Sequence, residues 1–136
     1  MRKVLLSIVA LLLLSLPLAG CGLTQDFQSV QSLAEEFMVA LKNREYPAAF
    51  DLFSNDLQQE VGTPANLGDI AESNGILPKE WNFTNTSVST EDGQTIGSVE
   101  GTVTYADGSD GNLEVYMLKV EAVTTVWIII GFNLTH

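Results

Sequence analysis

The hydrophobic period of this chain changes once, at Pro78, and that change limits the fold more than any other feature. Upstream the spacing is helical. Phe27, Val30, Ala34, Phe37 and Leu41 recur three or four apart, and Leu33 and Met38 widen the stripe. Thr24 or Asp26 is placed to cap this helix. Asn43-Arg44-Glu45 reads as a short loop, and Pro47 suits the first position of a second helix, where its missing N–H costs little. Ala48, Ala49, Leu52 and Phe53 give that helix a face, and Ser54 can cap a continuation through Leu57 and Val61 to Gly62. Thr63-Pro64 starts a third helix, and Asn74-Gly75 stops it.

Downstream the period is two. Strands are predicted over residues 81–89, over the Val99 to Tyr105 stretch, from Leu113 to about Ala122, and from Thr125 to about Leu134. Glu91-Asp92-Gly93 and Asp107 to Asn112 carry turn chemistry, because Asp, Asn and Gly accept positive φ. In the second strand Val99, Gly101, Val103 and Tyr105 share a face. The third strand is apolar on both sides, which predicts a central or covered position. In the fourth, strict alternation puts Val126, Ile128, Ile130 and Phe132 on one face and Trp127 and Ile129 on the other. Helices followed by a run of strands predict an α+β domain, with two to three N-terminal helices packed on a four-stranded antiparallel sheet.

The first residues follow a different logic. Arg2 and Lys3 precede a nearly unbroken apolar run from Val4 to Leu16, and Pro17 breaks it. This is the layout of an export signal, and the run is shorter than the roughly 20 residues that span a bilayer. The run ends on Leu18-Ala19-Gly20-Cys21. That tetrad resembles the bacterial lipobox, which is cut just before the cysteine. The resemblance implies that Cys21 becomes the mature N-terminus and carries a diacylglycerol on its sulfur. Two or more acyl chains give stable anchoring where one does not. The expected organisation is therefore a signal peptide over 1–20, a lipidated N-terminus with a short tether over 21–25, and an α+β domain over 26–136. Extended, Gly22 to Gln25 spans at most about 14 Å. The expected location is extracytoplasmic, lipid-anchored to the cell membrane.

Charge excludes several partners. Residues 1–20 hold two of the six Lys and Arg and none of the 17 Asp and Glu, so 4 basic side chains remain against 17 acidic ones, a net charge of −13. Nucleic-acid binding and electrostatic docking on anionic lipid both need clustered Lys and Arg. Cys21 is the single cysteine, so an internal disulfide is excluded. No histidine or basic residue stands near Cys21 in sequence to lower its pKa, which argues against a nucleophilic thiol.

Three stretches carry a further resemblance: "FMVALKNREYPAAFDLFSNDLQ" (Phe37 to Gln58), "TPANLGDIAESNG" (Thr63 to Gly75) and the closing "VEGTVTYADGSDGNLEVYMLKVEAVTTVWIIIGFNL" (Val99 to Leu134), with its Trp127, Ile129, Gly131 and Phe132. A helix pair, a short third helix and a four-strand meander in this order are similar to the nuclear transport factor 2-like superfamily, including its ketosteroid isomerase-like and SnoaL-like members. The resemblance implies a strongly curved sheet wrapped on helices with a cone-shaped cavity between them. It implies no particular activity, because such folds host enzymes, binders and dimerisation modules alike. One departure stands out. The last hairpin reads Glu121-Ala122-Val123-Thr124-Thr125, where the family usually places a glycine turn.

Candidate chemistry is sparse. The one histidine, His136, is the last residue, so no Ser-His or Cys-His pair is predicted on it, and no zinc-type cluster exists. No catalytic residue, metal ligand or cofactor is assigned. "DGSDGN" offers oxygen donors, but without EF-hand spacing it reads as a turn rather than a calcium loop. Asn-x-Ser/Thr triplets at Asn82, Asn85 and Asn133 read as chance in a chain with a lipobox. Ketosteroid isomerase-like members use a carboxylate base beside tyrosine donors. Asp51, Asp56, Asp69, Glu100, Tyr46, Tyr105 and Tyr116 are the groups that could supply such a pair. The expected function is instead a non-enzymatic binding or interaction module of the cell envelope. It would take a small apolar ligand in the cone, an envelope protein on the sheet, or a second copy of the chain. Trp81, Tyr105, Tyr116 and Trp127 are the candidates to line such a site, the alternative being that they pack the core and sheet.

Overall fold

The computed structural model describes residues 21–136, with side chains from Thr24 onward. The expected signal peptide over 1–20 and the side chain of Cys21 lie outside the described residues. Four helices come first: α1 (Cys21–Lys42), α2 (Tyr46–Asp51), α3 (Asn55–Val61) and α4 (Pro64–Ser73). Four strands follow: β1 (Pro78–Glu91), β2 (Gln94–Tyr105), β3 (Asp110–Glu121) and β4 (Thr125–Thr135). All neighbours are antiparallel, in the order β1-β2-β3-β4. The α+β class and the meander are those the change of period predicts.

Local chemistry sets most boundaries. The Ser54 hydroxyl accepts the Leu57 N–H at 3.2 Å and the Thr63 hydroxyl accepts the Asn66 N–H at 3.1 Å, so each caps a helix N-terminus. Gly62 (φ 93°) and Gly75 (φ 64°) end α3 and α4 in the left-handed region. Asp92 (φ 51°) and Gly93 (φ 77°) form the β1–β2 turn with both central residues at positive φ. The helical continuation after Ser54 is a separate element, α3. At the N-terminus α1 extends back to Cys21. Residues 21–25 are thus helical rather than extended, and Thr24 and Asp26 lie within the helix instead of capping it. Asp26 accepts a hydrogen bond from Lys119 Nζ at 3.1 Å.

The core sits between α1 and one face of the sheet. Val30, Phe37, Met38 and Leu41 of α1 meet Val99, Val103, Tyr105, Leu113, Val115, Met117 and Ile129, all essentially inaccessible to solvent. Among the described residues every buried side-chain nitrogen or oxygen has a partner.

Three bulges break the simple alternation. Lys79 and Thr84 are extra residues in β1, and Ile130 is extra in β4. The bulge at Thr84 switches the inward set of β1 from Trp81 and Phe83 to Thr86 and Val88. The bulge at Ile130 corrects the expected faces of β4. Trp127 and Ile129 point inward as predicted, but Phe132 turns inward as well, away from Val126, Ile128 and Ile130. Its ring lies 5.2 Å from Phe37 and 5.6 Å from Phe53. The edge of β4 explains the bulge's position. Ile129 N–H donates to Leu52 O at 2.9 Å and Ser54 N–H donates to Ile129 O at 2.8 Å, so the α2–α3 connection pins β4 at that residue. β3 is central, yet its outer face is open: Tyr116 is exposed and Leu118 and Val120 are only partly buried.

Candidate functional site

The four candidate aromatics occupy four different places. Trp81 lies half-buried on β1 against α1. Its Nε1 donates to Glu35 Oε2 at 2.8 Å, and Lys42 Nζ stands 5.8 Å above its ring. The indole is thereby held between a carboxylate and an ammonium, and it borders two surface grooves. One, of about 760 Å³, runs between α1 and β1 past Glu35, Val39 and Phe83. The other, of about 690 Å³, runs past Val103, Thr104, Asp110 and His136. Both are open and polar-rimmed.

Tyr105 is fully buried, and its hydroxyl donates to Thr135 O at 2.9 Å. Burial pushes its phenol pKa above the ordinary 10.0. Tyr116 stands on the opposite, outer face of the sheet, and its hydroxyl donates to Glu114 Oε2 at 2.9 Å. That bond to a carboxylate raises its pKa. Trp127 is half-buried at the other end of β4, over Gly97 and Val30. The structure therefore brings Trp81 to a groove, places Tyr105 and Trp127 in packing roles, and leaves Tyr116 on the open face. Cys21 is the first residue of α1.

The carboxylates do not form the pair that isomerase-like chemistry needs. Asp51, Asp56, Asp69 and Glu100 are exposed, and no charged side chain is buried among the described residues. Tyr46, partly buried, donates to Glu72 Oε1 at 2.8 Å. Its pKa is raised by burial first and by Glu72 second. Neither group stands in an apolar pocket, which is what keeps a carboxyl neutral near pH 7.

One polar cluster was not legible in the sequence. His136 is anchored rather than frayed. Its Nδ1 lies 3.0 Å from Ser109 Oγ, its Nε2 3.1 Å from Asn74 O, and its ring 4.7 Å from Tyr105. Ser109 Oγ in turn donates to Asp107 Oδ1 at 2.6 Å, and Ser109 N–H donates to the same oxygen at 2.9 Å. Serine is the middle member of this Asp-Ser-His chain. A hydrolytic triad has histidine in the middle, where it takes the serine proton. Here the proton already lies toward a carboxylate, and the cluster fastens the β2–β3 turn to the end of β4 and to α4. The two bonds from Ser109 hold Asp107 below the usual aspartate value of 3.8. Asp110 accepts from the Thr104 hydroxyl at 2.8 Å. The acidic residues of "DGSDGN" thus serve separate turn bonds, and no group of three metal-ligating side chains occurs among the described residues.

Outside these sites, the clearest feature is the outer sheet face. Its half toward the β2–β3 turn is polar, with Glu100, Thr102, Asn112 and Asn133. Its half toward the β3–β4 turn is apolar, with Tyr116, Leu118, Ile128 and Ile130. No described helix is long and apolar enough to cross a membrane. The chain matches no protein-family model and no curated protein.

Proposed function

We propose that this chain is an exported lipoprotein of the cell envelope, held at the membrane through Cys21, whose domain acts as a non-enzymatic interaction module. The anchor part rests on the Arg2-Lys3 start, the apolar run and the Leu18-Ala19-Gly20-Cys21 tetrad. The observation that carries the module part is the uncovered apolar half of the outer sheet face, where Tyr116 and Ile130 are each more than one-third exposed. Large apolar side chains grouped on an open face mark interaction surfaces in soluble domains. The buried core between α1 and the sheet supports binding on this surface rather than in a cone.

Three measurements test the reading. Labelling with radioactive palmitate should mark the wild type and lose the mark in Cys21→Ala; equal labelling contradicts the anchor. The protein extracted from membranes in mild detergent should migrate above its monomer mass. Tyr116→Asp with Ile130→Asp should return it to the monomer without changing its melting temperature by more than a few degrees. A wild-type monomer that retains an apolar small molecule in native mass spectrometry contradicts the surface reading and restores a ligand cavity.

A further inference from the structure

We propose that the tip of the β3–β4 hairpin rests in the headgroup–acyl boundary of a lipid bilayer beside Cys21, so that the domain meets the membrane at two points and holds one orientation. The inference builds on the lipid-anchor reading and adds a second contact to it.

The start of α1 and the hairpin tip lie together. α1 crosses the sheet diagonally. Its end, Lys42, lies over Trp81 near the start of β1, and its beginning is tied to the end of β3 by the contact of Asp26 with Lys119. Cys21 stands five residues before Asp26, about 7.5 Å further along the helix at 1.5 Å per residue. β3 runs on past Lys119 to Glu121 and turns at residues 122–124. Helix start and hairpin tip therefore occupy the same end of the domain.

The three turns differ in chemistry. The β1–β2 turn carries Asp92-Gly93 and the β2–β3 turn carries Asp107-Gly108, the residues such turns favour. The β3–β4 turn instead presents Val123, fully exposed at 103%, with Val126 half-exposed beside it. Thr124 and Thr125 separate them, and Trp127 follows. Residues 122–136 are the longest stretch without Asp, Glu, Lys or Arg downstream of residue 20. A valine-tipped turn, with the exposed Glu121 at its base where it can stay among the headgroups, suits the interface between headgroups and acyl chains.

Charge and area decide between occupants. A chain this acidic has no basic patch to draw anionic lipid, so its contact with a bilayer must be apolar. A second copy is disfavoured, because two exposed valines fall far short of the roughly 800 Å² per partner in a stable interface. A bilayer needs no such area, since the lipid on Cys21 already holds the tip at the surface. Glu91 and Asp92 lie at the same end on the far side of the sheet, so the domain leans toward its β4 edge.

The test uses the full chain, purified with its lipid and placed in phosphatidylcholine vesicles. In Val123→Cys a spin label goes to position 123, and in Ala106→Cys to the exposed turn at the opposite end. Once Cys21 is a thioether, each variant offers one free thiol. At position 123 the label should be several-fold more accessible to oxygen than to a water-soluble nickel chelate. At position 106 the order should reverse. Equal, chelate-dominated accessibility at both positions overturns the contact while leaving the anchor intact. Dipolar broadening at 123 that persists in excess lipid makes a second copy the occupant and overturns it too. Two free thiols per chain overturn the anchor reading, and this one with it.

Discussion

Lys119 and Asp26 stand 93 positions apart and meet at 3.1 Å, with four-fifths of each side chain withdrawn from solvent. This bond ties the end of β3 to the beginning of α1. Screening by water is weak there, and a lone ammonium or carboxylate would be left partly desolvated. Lys119→Met should therefore lower stability by about 1.5–3 kcal/mol, the range for a hydrogen bond to a charged group. Asp26→Asn added to it should cost less than the sum of the single changes. Urea unfolding of the three variants measures both, and full additivity would show that the contact contributes nothing.

The β4 bulge makes a prediction that simple alternation reverses. Phe132 packs on Phe37 and Phe53, whereas Ile130, two residues earlier, is exposed. Phe132→Ala should destabilise by about 3 kcal/mol and Ile130→Ala by less than about 1 kcal/mol. Similar losses at both positions would contradict the register.

Gly97 is where helix and sheet come closest. A Cβ placed there would stand 2.6 Å from a methyl carbon of the fully buried Val30 and 3.2 Å from the Trp127 ring. Gly97→Ala should cost about 1–3 kcal/mol through overpacking. Val30→Ala should recover part of that loss in the double variant, a non-additivity readable in melting temperatures.

The turn cluster gives an acid limb. Ser109 depresses the pKa of Asp107, so the carboxylate adds stability above its unfolded value. That contribution disappears as pH falls through the folded value, which places the loss below about pH 4. The urea midpoint of the wild type should fall in this range, and Asp107→Asn should remove a small part of the fall. Asp107 is exposed, so solvent screening keeps the effect modest. An unchanged slope would show that the Ser109 bonds do not persist in solution.

What the sequence revealed depends on how local each cause is. The caps at Ser54 and Thr63 and the turns at Asp92-Gly93 and Asp107-Gly108 are legible because each rests on a few adjacent residues. The inward set of β2 is legible because its alternation runs unbroken from Val99 to Tyr105. The inward turn of Phe132 is not, because the bulge at Ile130 is set by Leu52 and Ser54, far away in the chain. Anchoring of His136 is equally hidden, since its partners Ser109 and Asn74 lie 27 and 62 positions off. Residue type alone does not separate the buried Tyr105 from Tyr116 on the open face.

The proposed anchor at Cys21 would set where all of this surface chemistry takes place. Top-down mass spectrometry of the protein extracted from membranes tests it most directly. The expected product is a chain that begins at Cys21 and carries a diacylglycerol on its sulfur. A chain that retains residues 1–20, or one with a free thiol at Cys21, would contradict it.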